Sequence, residues 1–112
     1  MKIAVTSNDG QHIDTYHGNA ELIYVYDVEG FEIISVEKRK TEWYYDQRRK
    51  HKLNGSAFER IYETIKDCKV FVTQNIDTIP VYRFNLLGIN VKQSEGEIKA
   101  SSLFNTFSMY HE

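Results

Sequence analysis

Hydrophobic and polar residues alternate over the first 40 residues in the way that is typical of β-strands. A short apolar run, Ile3–Val5, precedes the turn sequence Ser7-Asn8-Asp9-Gly10, in which Asn and Gly tolerate positive φ angles. Leu22–Val28 is rich in β-branched and aromatic residues, and Glu29-Gly30 connects it to Phe31–Lys40. We therefore predict one strand followed by a β-hairpin. Simple alternation in the second hairpin strand predicts two faces, one with residues 31, 33, 35 and 37 and the other with residues 32, 34, 36 and 38.

Further along the chain, apolar residues recur at the spacing of α-helices. Phe58 is followed by Ile61, Tyr62 and Ile65 at i+3, i+4 and i+7, which predicts a helix with one apolar face. Ser56 and Glu59 have the spacing of a capping box, so we expect this helix to begin there. The same spacing predicts a C-terminal helix with the apolar residues Ala100, Leu103, Phe104 and Phe107.

A further helix is predicted between two short apolar strands, Val70–Val72 and Ile89–Val91. Thr78 is its expected cap, and Pro80 falls in the first turn, where a missing N–H costs little. Gly88 is expected to end the helix. The predicted apolar face of this helix consists of Ile79, Tyr82, Leu86 and Leu87.

The predicted elements follow one another in the order β-β-β-α-β-α-β-α, without an internal repeat or a linker. Hairpin strands followed by two αβ units predict an α/β fold with a five-stranded mixed sheet, antiparallel at one edge and parallel towards the other. Right-handed crossovers place the helices across the sheet faces. A chain of 112 residues suits a single domain, which we expect to span residues 1–112.

Composition excludes several classes of protein. A single cysteine forms no internal disulfide and rules out a cysteine-rich metal cage built by this chain alone. No apolar run approaches the ~20 residues of a membrane span, and the N-terminal sequence lacks a signal-peptide pattern. We therefore expect a cytoplasmic protein without membrane contact. The formal net charge of −2 argues against a general nucleic-acid binder.

The small net charge conceals a basic segment, residues 38–52, with seven basic and two acidic residues. Its net charge is +5, whereas the rest of the chain has −7. Trp43, Tyr44 and Tyr45 lie inside it. One interpretation is a solvated loop whose aromatic side chains cap the core. A second is a protein contact surface, since Trp, Tyr and Arg dominate binding hot spots. A third, single-stranded nucleic-acid binding, is disfavoured because the acidic remainder would repel a polyanion.

Familiar catalytic and nucleotide-binding motifs are absent from the sequence. Cys68 falls between a predicted helix end and a buried strand, a position typical of a structural thiol. Asp9, Asp27 and Asp77 are interpreted as turn or cap residues at strand ends, with a carboxylate metal site as the alternative. His17 precedes Gly18 in the loop before the second strand. Glycine permits close backbone approach, and the imidazole is a candidate metal ligand or anion donor.

Several of these segments match one family in order and spacing. They are MKIAVTSNDG, residues 13–20, the Tyr-Val-Tyr-Asp-Val strand, residues 39–45, the Asp67-Cys68 helix end, Asn75-Ile76 and Leu87-Gly88-Ile89. Together they cover nearly the whole chain, which resembles the dinitrogenase iron–molybdenum cofactor biosynthesis domains (the NifX, NifB C-terminal and NafY-like domains). The resemblance implies a ribonuclease-H-like fold. The family's His-Phe-Gly-Arg-Ala hallmark aligns its histidine with Tyr16, its phenylalanine with His17 and its arginine with Asn19. Tyr45 aligns with a family cysteine.

The resemblance also implies a function. It predicts a non-enzymatic carrier or accessory domain that binds an iron–molybdenum cofactor, an iron–sulfur cluster precursor or a related anionic ligand. Other cofactor-assembly proteins are the implied partners. The implied cofactor-binding residues are Tyr16, His17, Gly18, Asn19, Tyr45, Arg48 and Arg49, with His17 as the candidate metal ligand. The alternative is a divergent member that has lost the cluster and binds proteins through residues 43–52.

Overall fold

The computed structural model describes residues 1–14, 20–41 and 57–98 of the chain. The helices and strands, in chain order, are β1 (Lys2–Thr6), β2 (His12–Ile13), β3 (Leu22–Glu29), β4 (Glu32–Lys40), α1 (Ala57–Ile65), β5 (Val70–Thr73), α2 (Thr78–Leu86), β6 (Asn90–Gln93) and β7 (Gly96–Glu97). The predicted cap at Ser56 and the predicted C-terminal helix around residues 100–107 lie outside the described residues.

Five strands form the main sheet in the order β4-β3-β1-β5-β6. The β4-β3-β1 half is antiparallel, whereas β1, β5 and β6 run parallel to one another. β1 lies at the centre, where Ile3 is paired with Tyr26 on one side and with Val70 on the other. The prediction of a five-stranded mixed sheet, antiparallel at one edge and parallel towards the other, is therefore confirmed.

A small second sheet, β2 with β7, was not expected from the sequence. His12 is paired with Glu97 and Ile13 with Gly96 in antiparallel register, and the backbone N–H of Ile98 donates to the carbonyl oxygen of Gln11 at 2.7 Å. Two-residue strands are too short to show alternation, so the hydrophobic pattern gives no signal for them. The pairing fixes the turn that follows β1.

The core lies on both faces of the main sheet. On one face, α1 and α2 pack over buried residues that include Ala4, Val25 and Phe71. On the other face, Ile3, Val5 and Val70 form a second cluster, which also contains Ile13 of β2. This two-sided burial explains why β1 and β5 are almost continuously apolar, since a central strand that is covered on both faces lacks a polar side.

The apolar face predicted for α2 is not the one that packs on the sheet. The residues of the predicted face are all exposed, and Tyr82 has 64% of its surface accessible. They are Ile79, Tyr82, Leu86 and Leu87. The core contact is made by Phe84, which is fully buried against Phe58 and Phe71 at ring-centroid distances of 4.4 and 5.4 Å. α2 is apolar on more than one side, so spacing alone did not identify the buried side. Its N-cap is Asp77 rather than the predicted Thr78, and Gly88 follows the helix with φ of 86°, as expected.

β4 is the exposed edge strand of the sheet, and its two faces are not those predicted. The register shifts between Asp27 and Val28 of β3. Ile33 is paired with Val28 and Val36 with Tyr26. Because Val28 and Tyr26 lie in the same buried cluster, Ile33 and Val36 fall on one face, although simple alternation separates them. A β-bulge inserts one residue in this way and reverses the alternation beyond it.

Within residues 1–14, 20–41 and 57–98, no helix has the length and apolar character needed to cross a membrane.

Candidate functional site

The carboxyl ends of the parallel strands form a polar edge, which we call the carboxyl edge. β1, β5 and β6 end there at Thr6, Thr73 and Gln93. Thr6 and Thr73 are fully buried, and their hydroxyl oxygens are 3.0 Å apart in a hydrogen bond. In open α/β sheets, ligands bind in the crevice outside this edge. The carboxyl edge is therefore the expected location of a ligand-binding site.

The turn that follows β1 at this edge is organised by Asp9. Its Oδ1 accepts hydrogen bonds from the backbone N–H groups of Gln11 at 2.8 Å and His12 at 2.9 Å. Ser7 hydroxyl donates to the same oxygen at 3.2 Å. Gly10 has φ of 75°, and a Cβ at this position would lie 2.8 Å from the Tyr24 ring. Glycine is therefore required at position 10 both by the backbone conformation and by a close contact.

Asp9 also holds the side chain of His12. The Oδ2 of Asp9 is 2.9 Å from Nδ1 of the imidazole. Donation from the Gln11 backbone and from His12 lowers the pKa of the Asp9 carboxyl below its usual range. The hydrogen bond to Asp9 raises the pKa of His12. The pair was missed in the sequence, although its signal is present: an aspartate and a histidine three residues apart in a turn.

A junction at the same edge joins two distant parts of the chain. The Thr41 hydroxyl donates to the carbonyl oxygen of Ala20 at 2.8 Å, and the Thr41 backbone N–H donates to the carbonyl oxygen of Glu21 at 2.9 Å. Arg60 of α1 donates from Nη1 to both the Ala20 carbonyl oxygen, at 2.7 Å, and Thr41 Oγ1, at 2.8 Å. Thr41, Ala20 and Arg60 therefore form one hydrogen-bonded group.

Arg60 is unusual because a guanidinium is seldom buried in a protein. Only 4% of its surface is exposed, and this burial lowers the pKa of its guanidinium while the charge of Glu21 opposes the shift. The sequence gives no indication of this role, because Arg60 lies next to Glu59 in α1 and resembles an ordinary solvent-exposed helix residue. The acceptors Ala20 and Thr41 come from chain segments that meet only in the folded protein.

All seven predicted cofactor-binding residues lie outside the described residues: Tyr16, His17, Gly18, Asn19, Tyr45, Arg48 and Arg49. The structure does describe the points where their segments attach. Residues 15–19 lie between Asp14 and Ala20, and Asp14 Oδ1 accepts a hydrogen bond from the Asn8 backbone at 3.1 Å. Residues 42–56 follow Thr41. Both segments therefore attach to the carboxyl edge.

The remaining candidates have structural environments. Cys68 is buried, and burial raises the pKa of its thiol to about 12, as expected for a structural thiol. Asp27 lies inside β3 rather than at a strand end, and its Oδ1 is 3.3 Å from the N-terminal amine. Asp77 is the N-cap residue of α2 but makes no side-chain cap hydrogen bond.

Metal-ligating side chains are sparse in the described ranges 1–14, 20–41 and 57–98. These residues contain no group of three or more His, Cys, Asp or Glu side chains that could hold a metal ion. A bare ion therefore lacks a sufficient ligand set there.

Comparison with known proteins gives a family and a fold. Residues 1–104 match the profile of the family described as "Dinitrogenase iron-molybdenum cofactor". The crystal structure of PH0822 is similar with a TM-score of 0.67 and 20% sequence identity, over 96% of this chain and 89% of that chain. At this identity the likeness shows a shared fold. Comparison with curated proteins gives no match.

Proposed function

Since the chain belongs to the dinitrogenase iron–molybdenum cofactor family, we propose that it is a non-enzymatic carrier or accessory domain. Its cargo in this proposal is an iron–molybdenum cofactor, an iron–sulfur cluster or a related anionic precursor. The cargo binds at the carboxyl edge and is passed to other cofactor-assembly proteins in the cytoplasm. The strand order β4-β3-β1-β5-β6 is compatible with the ribonuclease-H-like arrangement that the proposal includes.

The observation that carries this proposal is the hydrogen-bonded junction of Thr41, Ala20 and Arg60. Thr41 directly precedes residues 42–56, which include Tyr45, Arg48 and Arg49. Ala20 directly follows residues 15–19, which include Tyr16 to Asn19. The contacts of 2.7–2.8 Å within the junction fix the two attachment points side by side. Two segments that are distant in the sequence can then contact one ligand without a further rearrangement of the sheet.

Basic residues at the end of β4 and after it in the sequence suit an anionic cargo. Lys40 is the last residue of β4 and directly precedes Thr41, and the segment that follows contributes Arg48, Arg49 and further basic residues. An anion held by arginine side chains and backbone N–H groups gains charge-assisted hydrogen bonds. We assign contact with the cargo to Tyr16, His17, Gly18, Asn19, Tyr45, Arg48 and Arg49.

An anaerobic binding measurement tests this proposal. The protein is mixed with isolated iron–molybdenum cofactor and separated from free cofactor by gel filtration, and the molybdenum and iron that elute with the protein are quantified. We expect one cofactor per chain. A variant with Arg48 and Arg49 both changed to Gln should bind more weakly, whereas Lys66→Gln, at the exposed residue directly after α1, is the matched control. Elution of the wild-type protein without metal would contradict the proposal.

A further inference from the structure

The outer side of α2 is an exposed apolar surface. Ile79, Tyr82 and Leu86 follow one another at i, i+3 and i+7, so they lie along one side of the helix. They are 73%, 64% and 68% exposed, and Leu87, directly after the helix, is 50% exposed. The buried Phe84 is two positions from Tyr82 and from Leu86, which places it on the opposite side. We call Ile79, Tyr82, Leu86 and Leu87 the α2 stripe.

The α2 stripe also lacks charge. Arg83 is the one charged residue of α2, and its guanidinium carbon lies 4.0 Å from the centre of the Phe58 ring in α1. The charge of α2 is therefore held on the side next to α1. In α1, by contrast, the exposed positions include Glu59 and Glu63. An exposed surface that contains Tyr and is depleted of charge has the composition of the core of a protein interface.

The exposed area of the α2 stripe is large for a single chain. Its four side chains present roughly 400–500 Å², which is in the range of the largest apolar patch on a typical monomer and is often functional. Two patches of this size in contact bury about 1,000 Å² in total, the lower limit for a specific interface. The α2 stripe therefore needs a partner surface of equal size and equally apolar character, which a second copy of the chain supplies.

We propose that the α2 stripe is the contact surface of a two-fold symmetric homodimer, in which α2 packs antiparallel on α2 of a second copy. In a two-fold contact the same patch faces itself, so an uncharged stripe meets no buried charge. The antiparallel arrangement puts the N-terminus of each helix beside the C-terminus of the other, which matches the helix dipoles. A formal net charge of −2 per chain keeps the repulsion between two copies small.

The position of α2 leaves this surface open to a second copy. α2 packs beside β6, which is the edge strand at the end of the order β4-β3-β1-β5-β6. The opposite edge strand, β4, also exposes apolar residues, namely Ile33, Ile34 and Val36. However, β4 has a register irregularity and the basic residues 38–40, and such features oppose pairing with another edge strand. The α2 stripe has neither feature and is therefore the favoured contact.

Sedimentation equilibrium of the protein without cargo, from micromolar to near-millimolar concentration, tests the inference. We expect a monomer–dimer equilibrium with a Kd of about 10–100 μM, because the buried area is at the lower limit for a specific interface. Leu86→Glu should raise this Kd at least ~10-fold, because it places like charges in an apolar contact. Tyr82→Glu is a second variant and should act in the same way. Ile34→Glu, at a 53% exposed residue of β4, is the matched control and should leave the Kd unchanged.

The outcomes distinguish the α2 contact from the alternatives. Weaker association of Leu86→Glu or Tyr82→Glu than of Ile34→Glu, with thermal unfolding at low concentration like that of the wild type, supports the proposal. A wild-type protein that stays monomeric overturns it, and the α2 stripe would then bind a different protein. Dissociation by Ile34→Glu alone places the contact on β4 and also overturns it. Because the measurement uses no cargo, its result is independent of the proposed carrier function.

Discussion

The hydroxyl group of Thr41 donates a hydrogen bond to the carbonyl oxygen of Ala20 over 2.8 Å, inside the buried part of the protein. The contact links Thr41, which follows β4, to Ala20, which lies two residues before β3, and Arg60 bonds to both partners. Thr41 and Ala20 are 1% and 0% exposed. Residues 15–19 end at Ala20, and residues 42–56 begin after Thr41. The two segments that contain the predicted cofactor-binding residues therefore attach to the protein at one hydrogen-bonded junction.

Removal of the Thr41 hydroxyl should destabilise the protein. Thr41→Val keeps the shape of the side chain but leaves the Ala20 carbonyl and the Arg60 guanidinium each without one buried partner. We expect a loss of about 1–3 kcal/mol in the free energy of unfolding, measured by urea denaturation. The matched control is Thr64→Val, whose hydroxyl only bonds back to the Arg60 carbonyl oxygen within α1, and whose cost should be below about 0.5 kcal/mol. Equal costs for the two variants would show that the junction contributes nothing.

Truncation of Phe84 should cost far more than truncation of its exposed neighbour Tyr82. Phe84 is fully buried against Phe58 and Phe71, so Phe84→Ala removes a core ring and leaves a cavity. We expect a loss of about 3–5 kcal/mol. Tyr82→Ala, on the exposed side of α2, should cost less than about 1 kcal/mol. Thermal or urea unfolding measures both, and a larger cost for Tyr82→Ala would mean that α2 packs through its other side.

Acidification should weaken the contact between Arg39 and Asp67. Arg39 Nη1 also donates to the Thr64 carbonyl oxygen at 2.8 Å, and its Nη2 lies 2.9 Å from Asp67 Oδ2. Hydrogen bonds from Arg39 lower the pKa of the Asp67 carboxyl below its usual value of 3.8. The unfolded chain therefore binds this proton at a higher pH than the folded protein does. The resulting stabilisation is present above pH 3.8 and is lost as the pH falls below it.

Urea denaturation between pH 7 and pH 3 checks this dependence. The unfolding free energy of the wild type should fall as the pH is lowered below about 5, and the fall should be smaller in Asp67→Asn. Glu63→Gln is the control, because Glu63 of α1 pairs with Lys66 on the exposed surface of the protein. A wild-type curve that runs parallel to the Asp67→Asn curve over this range would contradict the assignment.

The Cys68 thiol should react slowly in the folded protein. Burial raises its pKa to about 12, and only the thiolate is nucleophilic. At pH 8 we expect alkylation by iodoacetamide to be at least ~100-fold slower in the native protein than in urea, since the native thiolate fraction is correspondingly small. Mass spectrometry follows the reaction. A native rate close to that of the unfolded chain would mean that Cys68 is accessible and available as a cluster ligand.

The parts of the fold that the sequence predicted are those set by local patterns. The hairpin of β3 and β4 was predicted because long alternating runs flank Glu29-Gly30, and the mixed sheet followed from the order of the elements. The bulge in β4 and the small β2–β7 sheet were missed, since both depend on pairing between strands. The buried side of α2 was also missed, because Phe84 and the exposed Ile79 and Tyr82 are all apolar.

The candidate site was predicted less completely than the fold. The resemblance indicated residues 16–19 and 45–49, which lie outside the described residues. The sequence did not indicate Arg60, whose acceptors Ala20 and Thr41 are far from it along the chain. It did not indicate His12 either, because the imidazole is held by a hydrogen bond to the Asp9 carboxylate that only the folded turn shows. Hydrogen bonds between distant residues leave no periodic pattern in a sequence.

Paramagnetic NMR tests the central claim, cargo binding at the carboxyl edge, most directly. Isolated iron–molybdenum cofactor is titrated anaerobically into ¹⁵N-labelled protein, and the broadening of each backbone amide signal is recorded. We expect broadening in the turn from Ser7 to His12 and around Thr73, with sharp signals retained at Gly30 and Lys69 at the opposite edge. Absence of broadening, or broadening centred on Gly30 and Lys69, would contradict the claim.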